Sequence, residues 1–159
     1  MAINAQSVKI ESLILNNKIS AIIDFDELKM TEQIDSITSI SELMDMSLAD
    51  SLVYVGNTYF EYYRKTNSCL VGSIIFDRKI KTVSLNTFTL DKNTTLEDFK
   101  RMFPFDCSTI SPIKIYGDET EYMFCSVGLI NSDGEKLDSQ LLLFFSKNKL
   151  MRIEFWEPS

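Results

Sequence analysis

Three cysteines and a few clustered carboxylates are the side chains able to do chemistry, and histidine is absent. Without histidine, Ser-His-Asp and Cys-His nucleophile systems, HExxH zinc sites and histidine-based nucleases are excluded. Proton transfer would fall to carboxylates, Lys, Tyr or Cys. Cys69, Cys107 and Cys125 are odd in number, far apart and without CxxC spacing. That pattern reads as free, buried thiols in a reducing cytosol, with no metal bound. Nothing beside them supplies a base that would make one a nucleophile.

Asp24, Asp26 and Glu27 could offer oxygen ligands to a hard cation. They lack EF-hand spacing and its glycine, and acids gathered at a helix N-terminus match the helix dipole. Asp118 to Glu121 is an acidic turn. It is either a steering patch for a basic partner, through Glu119 and Glu121, or a solvated loop. Neither GxGxxG nor GxxxxGK[ST] occurs in the chain, so no phosphate-cradling loop is expected. The expectation is a non-enzyme without cofactor or metal.

Aromatic residues carry the stronger signal. In Thr58 to Arg64, Phe60 and Tyr62 alternate with Tyr59, Glu61 and Tyr63. If the first pair faces the core, Tyr59, Glu61 and Tyr63 face out. In the last strand Met151, Ile153 and Phe155 make one face, and Leu150, Arg152, Glu154 and Trp156 the other. Tyr, Trp and Arg dominate binding hot spots. Such a face either meets a partner or is covered by a second layer.

Two hairpins position these residues. The chain from Ser139 to Trp156 places apolar runs on either side of Lys147-Asn148-Lys149, and Tyr59 to Phe76 repeats that shape around Lys65 to Ser68. Asp24 with Glu27 is a capping-box pair for a short helix from Phe25 to about Gln33. Ser39 with Glu42 starts another, ending near Asp50, with Ile40, Leu43, Met44 and Leu48 on one face. Thr94 with Glu97 starts a third, stopped by Pro104. Strands are expected at 8–16, 19–23, 52–55, 58–64, 70–76, within 82–90, and at 113–116 and 121–130.

Each half therefore reads strand, helix, antiparallel meander. The fold class expected is α+β, an antiparallel sheet with helices packed on one face. The chain suits one domain, with candidate repeat halves at 8–77 and 80–157. Val71, Ile74 and Phe76 align with Leu150, Ile153 and Phe155, and Leu13 to Asn16 with Val83 to Asn86.

At 159 residues the chain buries roughly 70% of its unfolded surface, enough for a core without staples. Net charge is −7, which disfavours nucleic acid and suits a basic protein surface. No basic-then-apolar leader or membrane-length apolar run is read, so a cytoplasmic location is expected.

The run Leu90 to Lys100, ending Met102-Phe103-Pro104, resembles the strand-to-helix segment of β-lactamase-inhibitor-protein-like folds. The Lys149 to Phe155 strand resembles their closing strand. A small, acidic chain without catalytic residues is also similar in character to immunity proteins of bacterial toxin systems. The resemblance implies a binder that occludes a toxin or effector domain by direct contact; the outward strand residues Tyr59, Glu61, Tyr63 and Trp156 are the ones expected to carry that contact. A small-ligand domain, with a pocket between sheet and helices, is the competing expectation.

Overall fold

Tight turns with left-handed residues decide the course of the chain. Asn16 and Asn17 (φ 54° and 60°) begin the three-residue turn that ends at Lys18, Lys147 and Asn148 (φ 51° and 61°) form a two-residue loop, and Gly56 (φ 61°) and Asn86 (φ 51°) open two more. Paired positive φ values match the right-handed twist of the strands they join.

The computed structural model describes residues 8–40, 48–104, 106–107, 110–115, 117 and 119–158. The chain runs β1 (Val8–Lys9), a 3-10 turn (Ile10–Ser12), β2 (Ile14–Leu15), β3 (Ile19–Ser20), β4 (Ile22–Asp24), α1 (Phe25–Thr31), β5 (Ser36–Ser39), β6 (Ser51–Val55), β7 (Thr58–Tyr63) and β8 (Ser68–Ile75). It continues with β9 (Val83–Leu85), β10 (Phe88–Leu90), α2 (Leu96–Met102), β11 (Ser111–Lys114), β12 (Glu121–Ile130), β13 (Lys136–Ser146) and β14 (Lys149–Trp156).

These strands build two sheets. The large one is ordered β1-β12-β13-β14-β8-β7-β6-β5, with β11 also on β12 and β4 on β8. The small one is ordered β10-β9-β2-β3. The α+β expectation is therefore corrected: 51% of the described residues are strand and 12% helix. Two seven-residue helices are too few to cover a ten-stranded sheet. The inner layer is shared with the small sheet, whose Leu15, Ile19, Val83, Leu85 and Leu90 are fully buried in the common core.

The core runs from one sheet to the other. Phe88 of β10 meets Phe103 at 5.4 Å between ring centres, Phe103 meets Phe99 of α2 at 4.9 Å, and Phe99 meets Phe145 of β13 at 6.0 Å. Such tilted and edge contacts add to the burial of the rings.

The turn asparagines grip across the small sheet. Asn16 Oδ1 accepts from the Lys81 amide at 2.8 Å, and its Nδ2 donates to the Lys79 carbonyl at 2.6 Å. Asn86 does the reciprocal: its Oδ1 accepts from Ser12 Oγ at 3.1 Å, and its amide donates to Ser12 Oγ at 3.1 Å.

Several local expectations are revised. Asp24 precedes α1 but makes no capping bond. The capping box of α2 is Thr95 with Asp98, one residue later than Thr94 with Glu97, because Thr94 Oγ1 accepts from the Asp91 amide instead. Ser39 lies in β5, and the Ile40 amide donates to the Asp50 carbonyl at 3.2 Å. The expected end of that helix is not helical, and Leu48, placed on its apolar face, is exposed; residues 41–47 lie outside the described residues. Cys107 and Cys125 form a disulfide, with 5.3 Å between their Cα atoms. Only Cys69 is free, and burial pushes its thiol up to about 11.

Candidate functional site

The large sheet has one face in the core and one turned away from it. Core positions on β7 and β8 are Phe60, Cys69, Val71 and Ile74. Their alternates, Tyr59, Glu61, Tyr63 and Ser73, face outward, as period-2 geometry requires. On β14 the core residues are Leu150 and Ile153, both essentially inaccessible. This corrects the expected grouping of Leu150 with Arg152. A bulge lies between Phe144 and Phe145, which pair with Arg152 and Leu150. The extra residue, Met151, turns out to solvent at 45% exposure, as a bulge allows.

Arg152 and Glu154 stay outward, paired at 2.5 Å, with Trp156 beyond them at 44% exposure. A ladder orders the face: Glu154 lies opposite Ser73, Ser73 opposite Tyr59, and Tyr59 opposite Tyr54. Gly72 is the extra residue of a second bulge, between Tyr59↔Ser73 and Phe60↔Val71. A Cβ at Gly72 would stand 2.3 Å from Tyr59 Cε1. Only glycine lets that ring lie across the strand. Tyr59 and Tyr54 rings meet at 5.8 Å.

Tyr63 Oη donates to Glu61 Oε2 at 3.1 Å. Burial raises the Glu61 carboxyl above its ordinary range, the Tyr63 bond opposes this, and the Glu157 charge adds to it. Burial, then Glu61, pushes the Tyr63 phenol upward. Burial, then Glu154 and Glu61, does the same to Tyr59. The face is thus acidic and aromatic, with its charges partly withdrawn from water.

The opposite end of the same face is apolar. Phe124 stacks on Phe144 at 5.9 Å, and Tyr122 meets Phe144 edge-on at 5.9 Å. Phe144 is 3% exposed yet stands outside the core cluster. Ser73 Oγ and Arg152 Nε are two of the three buried side-chain polar atoms left without a partner among the described residues.

Tyr59, Glu61, Tyr63 and Trp156 thus share one face. Glu119 and Glu121 are exposed but do not join them. Glu121 begins β12, four strand steps from β7, or roughly 19 Å at the usual spacing. Sequence reasoning missed Tyr54, Arg152 with Glu154 as a pair, and the Phe124–Phe144 end. The alternation of Tyr122 and Phe124 in β12 was the available signal for the last.

Among the described residues no group of three or more His, Cys, Asp or Glu side chains is placed to hold a metal, and no helix is long and apolar enough to cross a membrane. The space between sheet and helices, where a ligand pocket was the competing expectation, is occupied by the core. A cavity of about 1020 Å³ opens instead where the two halves join, lined by Asp35, Asn57, Asp77, Arg78, Lys81 and Lys92 among others. No family model, no curated protein and no solved structure matches the chain.

Proposed function

We propose that this chain is a non-enzymatic binding protein, an immunity protein that neutralises a toxin or effector domain by direct contact. One observation carries the reading: the outward face of the large sheet. It combines Tyr54, Tyr59, Tyr63 and Trp156 with Glu61, Glu154 and Arg152, and every described helix and the small sheet pack on the other side. Partly exposed aromatics on a rigid sheet give contact area at low entropic cost, and pairs of such residues with charge make hot spots. Glu61 and Glu157 favour a basic partner surface. A partner cation would offset the burial, and the smaller Glu157 repulsion, that raise Glu61, and complementary charge speeds the encounter.

The expectation of a reducing compartment rested on unpaired cysteines. The Cys107–Cys125 bridge favours an oxidising one, and we carry that reading forward in place of the cytosol.

The test is co-expression with each reading frame that neighbours its gene and arrests growth when expressed alone. Wild type should restore growth and co-purify with the toxin. Glu61→Arg combined with Tyr63→Ala should do neither while keeping the wild-type circular dichroism spectrum. Full protection by that variant, or no complex with wild type, removes the proposal.

A further inference from the structure

The cavity at the junction of the halves is lined by four cations, Arg78, Lys79, Lys81 and Lys92, on a chain whose net charge is −7. Lys79 is committed: its Nζ lies 3.6 Å from Asp35 and 3.9 Å from Glu32. Arg78, Lys81 and Lys92 are exposed and make no ion pair among the described residues.

The carboxylates in the same wall are already engaged by backbone. Asp77 accepts from the amides of Asn57 at 2.8 Å, Lys79 at 2.8 Å and Ile80 at 2.9 Å. Asp35 accepts from the Gly56 amide at 2.5 Å, and Asp91 from the Asn93 amide at 2.8 Å. Each holds a turn in place; Asp35 is also the partner of Lys79, while Asp77 and Asp91 make no ion pair among the described residues.

These bonds also fix the segment that carries the cations. From Asp77 to Thr82 the backbone is held from one side by the Asp77 carboxylate. Asn16 holds it from the other, through the Lys79 carbonyl and the amides of Lys81 and Thr82. The Lys92 turn is closed by the Asp91 amide donating to Thr94 Oγ1 and the Thr94 amide donating to the Asp91 carbonyl. Phe76 adds a half-buried apolar wall. A site pre-ordered in this way loses little entropy on binding. A guanidinium with two ammonium groups suits an oxyanion, which Arg can take through paired N–H donors.

We propose that this cavity is a binding site for a small organic oxyanion, a phosphate or carboxylate whose apolar body lies against Phe76. It is separate from the docking face and does not depend on it. The experiment is a titration of the ¹⁵N-labelled full chain with inorganic phosphate, phenyl phosphate and benzoate.

Saturable amide shifts should appear at Asn57, Lys79, Lys81 and Asn93. The phenyl-bearing anions should bind several-fold more tightly than inorganic phosphate. The tighter of phenyl phosphate and benzoate identifies the headgroup. Arg78→Glu with Lys92→Glu should weaken binding at least about tenfold, the scale of one lost charge-assisted contact. Lys92→Gln alone should weaken it less. Lys100→Glu with Lys149→Glu, away from the cavity, should leave it unchanged. Shifts that fail to saturate with all three probes overturn the site. So does equal binding by the Arg78→Glu/Lys92→Glu protein when its remaining spectrum matches wild type.

Discussion

A hairpin, a helix and a four-stranded meander occur twice along the chain, and the two occurrences are braced differently. In both, the helix entry is tied to the loop between the last two strands. The Phe25 amide donates to the Asn67 carbonyl at 2.9 Å, and the Leu96 amide donates to Asn148 Oδ1 at 3.2 Å. The closing strands β8 and β14 meet at Ile74↔Ile153. The second half, however, adds a disulfide from the segment after α2 to β12, and a complete capping box. The first half has a free Cys69, an uncapped α1 and the tyrosines and Glu61 of the aromatic-acidic face. Its outward residues are polar and partly strained in charge, while β12 and β13 of the second half turn Phe124, Leu142 and Phe144 outward, and only β14, with Arg152, Glu154 and Trp156, extends the polar face across the seam. One half is built to stay closed, and the other presents groups that gain from being covered.

The largest test of that contrast is covalent. Cys107→Ser with Cys125→Ser opens a loop of 18 residues, and chain entropy predicts a loss of about 3 kcal/mol. Hydrogen exchange should rise first in β11 and β12. Cys69→Ala removes only one small buried thiol, and about 1 kcal/mol or less is expected from denaturant melts. Equal losses from both would erase the difference between the halves.

Glycine substitution separates the two outward faces next. Gly72→Ala drives a Cβ into the Tyr59 ring, and displacing that ring should cost about 1–3 kcal/mol. Gly128→Ala in β12 meets nothing within 4 Å and should stay within about 0.5 kcal/mol. Thermal melts of the two single variants decide it. Partner binding should fall in the first alone if Tyr59 is an anchor.

The helix entries give a smaller effect. Thr95→Ala removes a cap that accepts from the Asp98 amide at 3.1 Å, worth about 1 kcal/mol. Asp24→Ala removes a side chain that makes no cap bond and should change urea stability by a few tenths at most. A comparable loss at Asp24 would mean that α1 is held as α2 is.

The turns were legible because Asn16, Asn17, Gly56 and Asn148 are residue types that take positive φ readily, although Lys147 (φ 51°) is not. The alternation of Tyr59 to Tyr63 was legible for the same local reason. Bulges were not. Nothing in Lys149 to Trp156 marks Met151 as the extra residue, so Leu150 was assigned to the wrong face. The α2 cap was ambiguous by one residue, since Thr94 with Glu97 and Thr95 with Asp98 both fit the spacing. Only the Thr94 bond to Asp91 separates them. β5, Ser-Ile-Thr-Ser, is exposed throughout and carries no apolar pattern. The small sheet depends on β2 meeting β9 across 69 or so intervening residues, a contact that no local pattern encodes. That hidden layer is why helices were expected to cover the core. The cysteine pairing is non-local in the same way.

The smallest effect is the most specific, because its sign differs between the halves. Glu61 titrates above its ordinary value of 4.5, chiefly from burial. The folded state therefore holds a proton more readily than the unfolded one. Stability falls as pH rises through the window from that ordinary value to the raised one, and stays lowered above it. Glu61→Gln keeps an oxygen for the Tyr63 hydroxyl and removes the charge. It should be more stable than wild type at neutral pH by about 0.5 kcal/mol or less, with the gain vanishing below the carboxylate range. Asp98 runs the other way, since the Thr95 amide and hydroxyl hold its carboxyl below its ordinary value. Its contribution is present at neutral pH and lost as pH falls through that lowered value, so Asp98→Asn should be the less stable protein at neutral pH. Urea melts of both variants at acid and neutral pH measure the two signs. A Glu61→Gln protein weaker than wild type at neutral pH would show that its carboxylate is satisfied within the monomer, and the first half would then have no charge waiting for a partner.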